Sequence, residues 1–156
     1  MIVPALQECI VSDSTCLIGL ERINRLDIPP QLYKKFWIPA AVSAEIGFSL
    51  PWLEVRQVQN QTLVSSLRSQ VGWGESEAIA LALELEDVTI LLDDKKARRI
   101  AEQFGLPITG TVGLLLKAKR QGVIEAIAPI LEALESVEFR VAPALRRRAI
   151  ELAGEL

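Results

Sequence analysis

Residues 72–94 read GWGESEAIALALELEDVTILLDD. Behind two glycines, residues 74–86 place Ala, Ile and Leu on nearly every face of a 3.6-residue period, which predicts a helix buried around most of its circumference. Residues 88–92 follow as an unbroken β-branched and leucine run, the mark of a strand covered on both faces. Such a strand needs helices above and below it, so the pair predicts an α/β domain around a mostly parallel sheet. The helix opens on Glu75 and Glu77, and the strand closes on Asp93-Asp94. Ends of elements are where this kind of fold exposes side chains around a crevice.

Working outward, residues 8–12 predict a short buried strand and 15–25 an amphipathic segment. Pro29-Pro30 punctuates the chain; residues 31–36 predict a helical turn or two, and Trp37-Ile38 a short strand. A helix over 40–47 is stopped by Gly47. Alternation over 53–59 suits a strand exposed on one side, and Asn60 suits an N-cap for a helix to about residue 70. On the other side, Ala97, Ile100, Ala101 and Phe104 recur at helical spacing as far as Gly105, and residues 106–108 are extended. Thr111 is placed to cap a helix over 112–121 that Gly122 ends, and Pro129 and Pro143 suit the first turns of two last helices. No repeat or linker interrupts the 156 residues, which predict one domain, its core over 9–122 and a helical part over 123–156.

Composition narrows the chemistry. The chain has no histidine, which excludes histidine acid–base pairs, Ser-His-Asp triads and the usual zinc hydrolase sites. Cys9 and Cys16 lack metal-ligand spacing and read as small buried residues; so few cysteines suit a reducing cytoplasm. Half of the residues are hydrophobic, enough for a full core. The start MIVPALQE has no basic region and is broken by Pro4 and Glu8, unlike a signal peptide, and no stretch is long and apolar enough to span a membrane. The net charge of −3 decides nothing about nucleic acid, because local distribution matters more than the sum.

The acidic residues fall at the ends of the predicted elements. Asp13 follows the first strand, Glu45 lies in the 40–47 helix, Glu75 and Glu77 open the central helix, and Asp93-Asp94 end the next strand. Carboxylates converging on one crevice repel one another unless a cation neutralises them, and oxygen ligands suit Mg²⁺ or Mn²⁺. The pattern therefore predicts a carboxylate metal site. Taken singly, each acid also has a plain structural reading: Asp13 as a strand end, Asp94 as an N-cap, Glu75 and Glu77 as first-turn carboxylates.

The segments IVSDST, IPAAVSAEI, GWGESEAIALALE and TILLDDKKARRIAEQFGLPITGTVGLLLKAKRQG, in this order and spacing, resemble the PIN-domain nucleases. They are most similar to small prokaryotic PIN-like proteins with a GE-x-EAI-x-LA segment, then LLxDD, then a TGT-x-G helix. The resemblance runs from about residue 9 to the C-terminus. It implies a three-layer α/β/α sandwich with a short, mainly parallel sheet, and metal-dependent hydrolysis of phosphodiesters, usually in RNA. It also implies, in many members, the toxin role of a toxin–antitoxin pair. Residue by residue, Asp13, Glu45, Glu75 and Glu77, and Asp93 and Asp94 match the family's acids, and Thr15 the small hydroxyl position near the first. Leu92 stands where many members have the threonine of T-x-D.

Residues two apart on a helix point about 200° apart, so in mid-helix Glu75 and Glu77 would not both face one point, although at a helix start the first residue can deviate and both can serve. Glu75 shares a stripe with Ala78, Ile79 and Ala82 and is slightly favoured as the ligand. Asp94 fits the T-x-D register and also suits the cap of the next helix, leaving Asp93 as a second ligand or a supporting group. Cations for the phosphates are expected among Lys95, Lys96, Arg98 and Arg99, and among Lys117, Lys119 and Arg120; a solvated helix face explains them equally well. Trp52 and Trp73 read as packing residues before base-stacking ones. The expected partners are RNA, single-stranded or structured, a small antitoxin protein and, given apolar runs such as Leu114-Leu115-Leu116, a second copy of the chain. The alternative is a catalytically inactive PIN-like module that binds nucleic acid or protein. A haloacid-dehalogenase-type phosphohydrolase needs an acid two residues after Asp13, where Thr15 stands, and a receiver-type phospho-acceptor needs an acidic pair at the first strand end.

Overall fold

A computed structural model describes residues 8–156; the reading of the first seven residues lies outside them. Five strands form one parallel sheet: β1 (Cys9–Ser12), β2 (Lys35–Pro39), β3 (Leu53–Arg56), β4 (Val88–Leu91) and β5 (Ile108–Thr109), in the order β3-β2-β1-β4-β5. The helices between them are α1 (Ser14–Arg22), α2 (Ala40–Ile46), α3 (Gln61–Leu67), α4 (Trp73–Glu84), α5 (Lys95–Gln103) and α6 (Thr111–Arg120), followed by α7 (Ala128–Ser136) and α8 (Pro143–Leu152). This is the α/β/α sandwich expected from the sequence, with every strand pair parallel.

Side-chain alternation splits the core in two. Ile10, Phe36, Ile38 and Leu91 point to a face packed by α1, α6, α7 and α8. Val11, Ile90 and Leu92 point to the other face, packed by α3, α4 and α5. Helix α4 is buried from Ser76 through Ala82, as its all-round apolar character requires. Helix α2 ends at Gly47, whose φ of 74° a residue with a Cβ adopts at a cost, and Asn60 caps α3 by accepting from the Leu63 amide at 3.1 Å.

Three local expectations are corrected. Lys35 and Phe36 are extended, not helical; only Pro29–Gln31 make a 3₁₀ turn, because pairing with β1 and β3 outweighs local preference. The edge strand β3 stops at Arg56, with Gln59 and Asn60 held by Glu84 instead. Thr111 is the first residue of α6 and Gly110 its N-cap, so the threonine hydroxyl is free for another partner. Among the described residues no helix is long and apolar enough to cross a membrane.

The strand order reverses between β1 and β4, so the crevice of this sheet opens at their carboxyl ends. Ile79, fully buried on α4, seals the face beneath it. Ile79→Ala is expected to lower stability by about 2–5 kcal/mol in urea unfolding, the range for removing such a side chain from a packed core.

Candidate functional site

Asp13 is the first residue after β1 and the N-cap position of α1, which fixes it at the carboxyl edge of the central strand. It is only 2% exposed, and its Oδ1 has no hydrogen-bond partner. Burial pushes its carboxyl well above the usual range; the charges of Asp93 and Glu75 push it further, and the backbone N–H groups of Thr15 and Asp93 offset part of the effect. Glu45, in the last turn of α2, has a raised carboxyl from burial and from the charge of Glu75. Asp13, Asp93, Glu75 and Glu45 thus form a chain of mutually repelling acids around the crevice, with Glu75 acting on both Asp13 and Glu45.

Close backbone approach makes this arrangement possible. The Glu45 carboxylate lies against Gly74 of α4, where any Cβ would collide with its Oε1. Asp93 accepts two hydrogen bonds from Thr111, from the amide at 2.9 Å and from the hydroxyl at 2.6 Å. Gly110 leaves room for them: a Cβ there would stand 3.0 Å from Asp93 Oδ1 and 2.9 Å from Arg98 Nη1. Arg98 in turn donates to the Leu92 carbonyl at 2.7 Å, pinning the end of β4.

The two paired acids are divided. Glu77 is buried and accepts from the Ala41 amide at 2.8 Å, so it caps the first turn of α2 rather than facing the crevice. Asp94 is exposed and caps α5, accepting from the Ala97 amide at 2.8 Å. Glu75, the slightly favoured acid of its pair, stays by the crevice, where its charge acts on both Asp13 and Glu45. Asp94, read from the sequence as both a ligand and a cap, makes the cap here, while Asp93 is the acid whose charge acts on Asp13.

The expected cations divide as well. Thr15 and Lys95 line a cleft together with Asp93, and Lys96 and Arg99 are exposed on α5. Lys117 is buried, 2.7 Å from Glu8 in an ion pair, and lies 4.2 Å from the Tyr33 ring centroid. Lys119 is held by Glu155 and the Ala153 carbonyl. Lys117, Lys119 and Arg120 occupy the half of α6 remote from Thr111, roughly 9 Å or more along its axis at 1.5 Å per residue. Trp52 packs edge-on against Phe36, while Trp73 is partly exposed beneath Arg68. Sequence reasoning missed Thr111 as the partner of Asp93; the TGT segment was the signal, read as a cap.

The donors at the crevice are all carboxylate oxygens, a set that suits Mg²⁺ or Mn²⁺ and not zinc. The orphaned Asp13 Oδ1 fits such an ion. Among the described residues no three acidic or cysteine side chains gather into a ready-made cage; a small hard ion that keeps several waters and takes one or two carboxylates does not need one. The Cys16 thiol beside Thr111 is fully buried, and desolvation holds it protonated.

A family model, DUF3368, described as a PIN domain, matches residues 9–155. The chain belongs to this family, whose fold is of the nuclease type. No curated protein matches the chain.

Because the folded state raises the Asp13 pKa above its unfolded value, ionisation of this group costs stability as pH rises through the carboxylate range and beyond. Asp13→Asn is therefore expected to raise the Tm at neutral pH. The difference should vanish once acid protonates Asp13 in both folded and unfolded chains. Calorimetry across pH checks this, and added Mg²⁺ or Mn²⁺ should raise the Tm of the native chain but not that of the variant.

Proposed function

We propose, with membership of the PIN-domain family as the premise, that this chain is a divalent-metal-dependent nuclease that hydrolyses phosphodiester bonds in RNA. The observation that carries the reading is the buried, unpartnered Oδ1 of Asp13 amid three further acids. A protein that leaves a carboxylate so placed gives up stability, a cost commonly found where function requires the group. Asp13, Glu45, Glu75 and Asp93 are the residues that would hold Mg²⁺ or Mn²⁺. When bound, such an ion would make water a nucleophile at neutral pH and stabilise charge on the leaving oxygen, in a chain that has no histidine for acid–base work.

The remaining residues position and attract. Thr111, with Gly110 giving it room, holds the Asp93 carboxylate in one orientation, and Arg98 fixes the strand end that carries it. Glu77, by capping α2, orients the helix that bears Glu45. Thr15 and Lys95 beside the acids, with Lys96 and Arg99 further along α5, supply polar and cationic contacts to the phosphate backbone without reading sequence. Resemblance to the small prokaryotic PIN-like proteins supports a toxin role, restrained by an antitoxin protein, as the setting.

Cleavage of labelled single-stranded RNA in Mg²⁺ or Mn²⁺, abolished by EDTA, tests the reading. Asp13→Asn, Glu75→Gln and Asp93→Asn are each expected to lower the rate by on the order of a hundredfold or more, since metal stabilisation of the transition state is worth several kcal/mol. Asp94→Ala should instead cost about 0.5–2 kcal/mol of stability as a lost cap and leave the rate within a few-fold. Equal rates for the native chain and Asp13→Asn would rule out this site.

A further inference from the structure

Beside the acids runs a cleft of ≈ 570 Å³, bounded by α1, the start of α5, the N-terminal part of α6, the 137–142 segment and α8. That volume lies in the range of small-ligand sites, roughly 300–1,000 Å³. Thr15, Asp93 and Lys95 form the end that adjoins the crevice. The floor is apolar and deliberately built: Phe139 lies on α1 at Gly19, where a Cβ would come within 2.7 Å of the ring. The turn that delivers Phe139 runs through Glu138 at a φ of 67°, a conformation unusual for a residue with a side chain. Leu145, 50% exposed, and the cations Arg22 and Arg140 also line the cleft. Among the described residues, Arg22, Lys95 and Arg140 enter no ion pair.

We propose that this cleft is a binding subsite for a nucleotide of single-stranded RNA next to the scissile phosphate, its base against Phe139 and Leu145 and its phosphates toward Lys95, Arg22 and Arg140. The inference rests on the nuclease reading for its scissile phosphate, while the binding it describes is testable alone. An aromatic floor with an apolar lip fits an unstacked base, and a base already paired in a duplex does not present its face in this way. Three cations without an ion-pair partner among the described residues complement a polyanion, and they line the cleft that Asp93 also lines. An acidic peptide would satisfy the same cations but has no use for the aromatic floor.

The test is fluorescence anisotropy of a labelled single-stranded RNA with the full-length Asp13→Asn protein, which binds without cutting, combined with changes in the cleft. Phe139→Leu keeps the packing on Gly19 but removes the stacking face, and is expected to weaken binding roughly five- to a hundredfold, the span measured for base–aromatic stacks. Arg140→Glu should weaken it further at low salt and reduce the slope of log affinity against log salt by about 0.7, one single-strand phosphate contact. Arg148→Glu, on the outer face of α8, should leave affinity unchanged, and thermal melts check that each variant folds. Affinity indifferent to both Phe139→Leu and Arg140→Glu, or absent altogether, overturns the subsite. So does an acidic peptide whose binding depends on these residues when RNA binding does not. Cleft-dependent binding by a native chain that cuts no RNA would uphold the subsite and sink the nuclease reading; cutting that ignores the cleft would do the reverse.

Discussion

A carboxylate oxygen at the end of the central strand, Asp13 Oδ1, is buried without a partner while the charges of Asp93 and Glu75 press on it. The β3-β2-β1-β4-β5 order sets the place where this happens. With β1 in the middle and the chain turning outward on either side, the sheet of the described residues splits its connections at the carboxyl ends of β1 and β4, and Asp13 and Asp93 leave the strands there. Thr111 holds the Asp93 carboxylate by two hydrogen bonds, whereas backbone N–H groups offset only part of the burden on Asp13 and its Oδ1 has no partner. The site is an electrostatic deficit held open by a well-packed frame.

The frame works by close approach. Helices α2 and α4 meet at Gly74, which lets Glu45 of one lie on the backbone of the other. Glu77, three residues further along α4, holds the amide end of α2, so a single helix carries one acid toward the crevice and uses another to aim its neighbour. The same division occurs after β4, where Asp93 enters the crevice and Asp94 closes the next helix. In each pair the roles follow from where unsatisfied amides lie. A helix start takes the carboxylate that points at it, and the other is left for chemistry.

Positive charge is distributed by a similar rule. Near the acids, Lys95, Lys96 and Arg99 occupy the first turns of α5 and remain in solvent, whereas Arg98 is drawn to the carbonyl end of β4. The cations of α6 sit at its other end, where Glu8 and Glu155 hold Lys117 and Lys119 and tie the helix to the two ends of the described chain. The C-terminal helices α7 and α8 do more than complete the core. The turn between them lays Phe139 on Gly19 and forms one wall of the cleft that leads away from the acids.

The sequence by itself determined an α/β domain around a parallel sheet and placed acidic residues at the ends of its elements. The all-apolar run of α4, the uninterrupted β4 and the glycines after α2, α5 and α6 are local signals, legible because periodicity and backbone conformation are local physics. The absence of histidine likewise limited the chemistry before any fold was known. Only the tertiary structure decided which acid of each pair faces the crevice, because that depends on where the start of α2 falls relative to α4 and on whether Thr111 reaches Asp93 or caps its own helix. It also decided that Lys117 is buried against Tyr33 and that residues as distant in sequence as Gly19 and Phe139 share one wall. These are contacts between elements far apart along the chain, and no spacing within a single segment encodes the distance that packing sets between them.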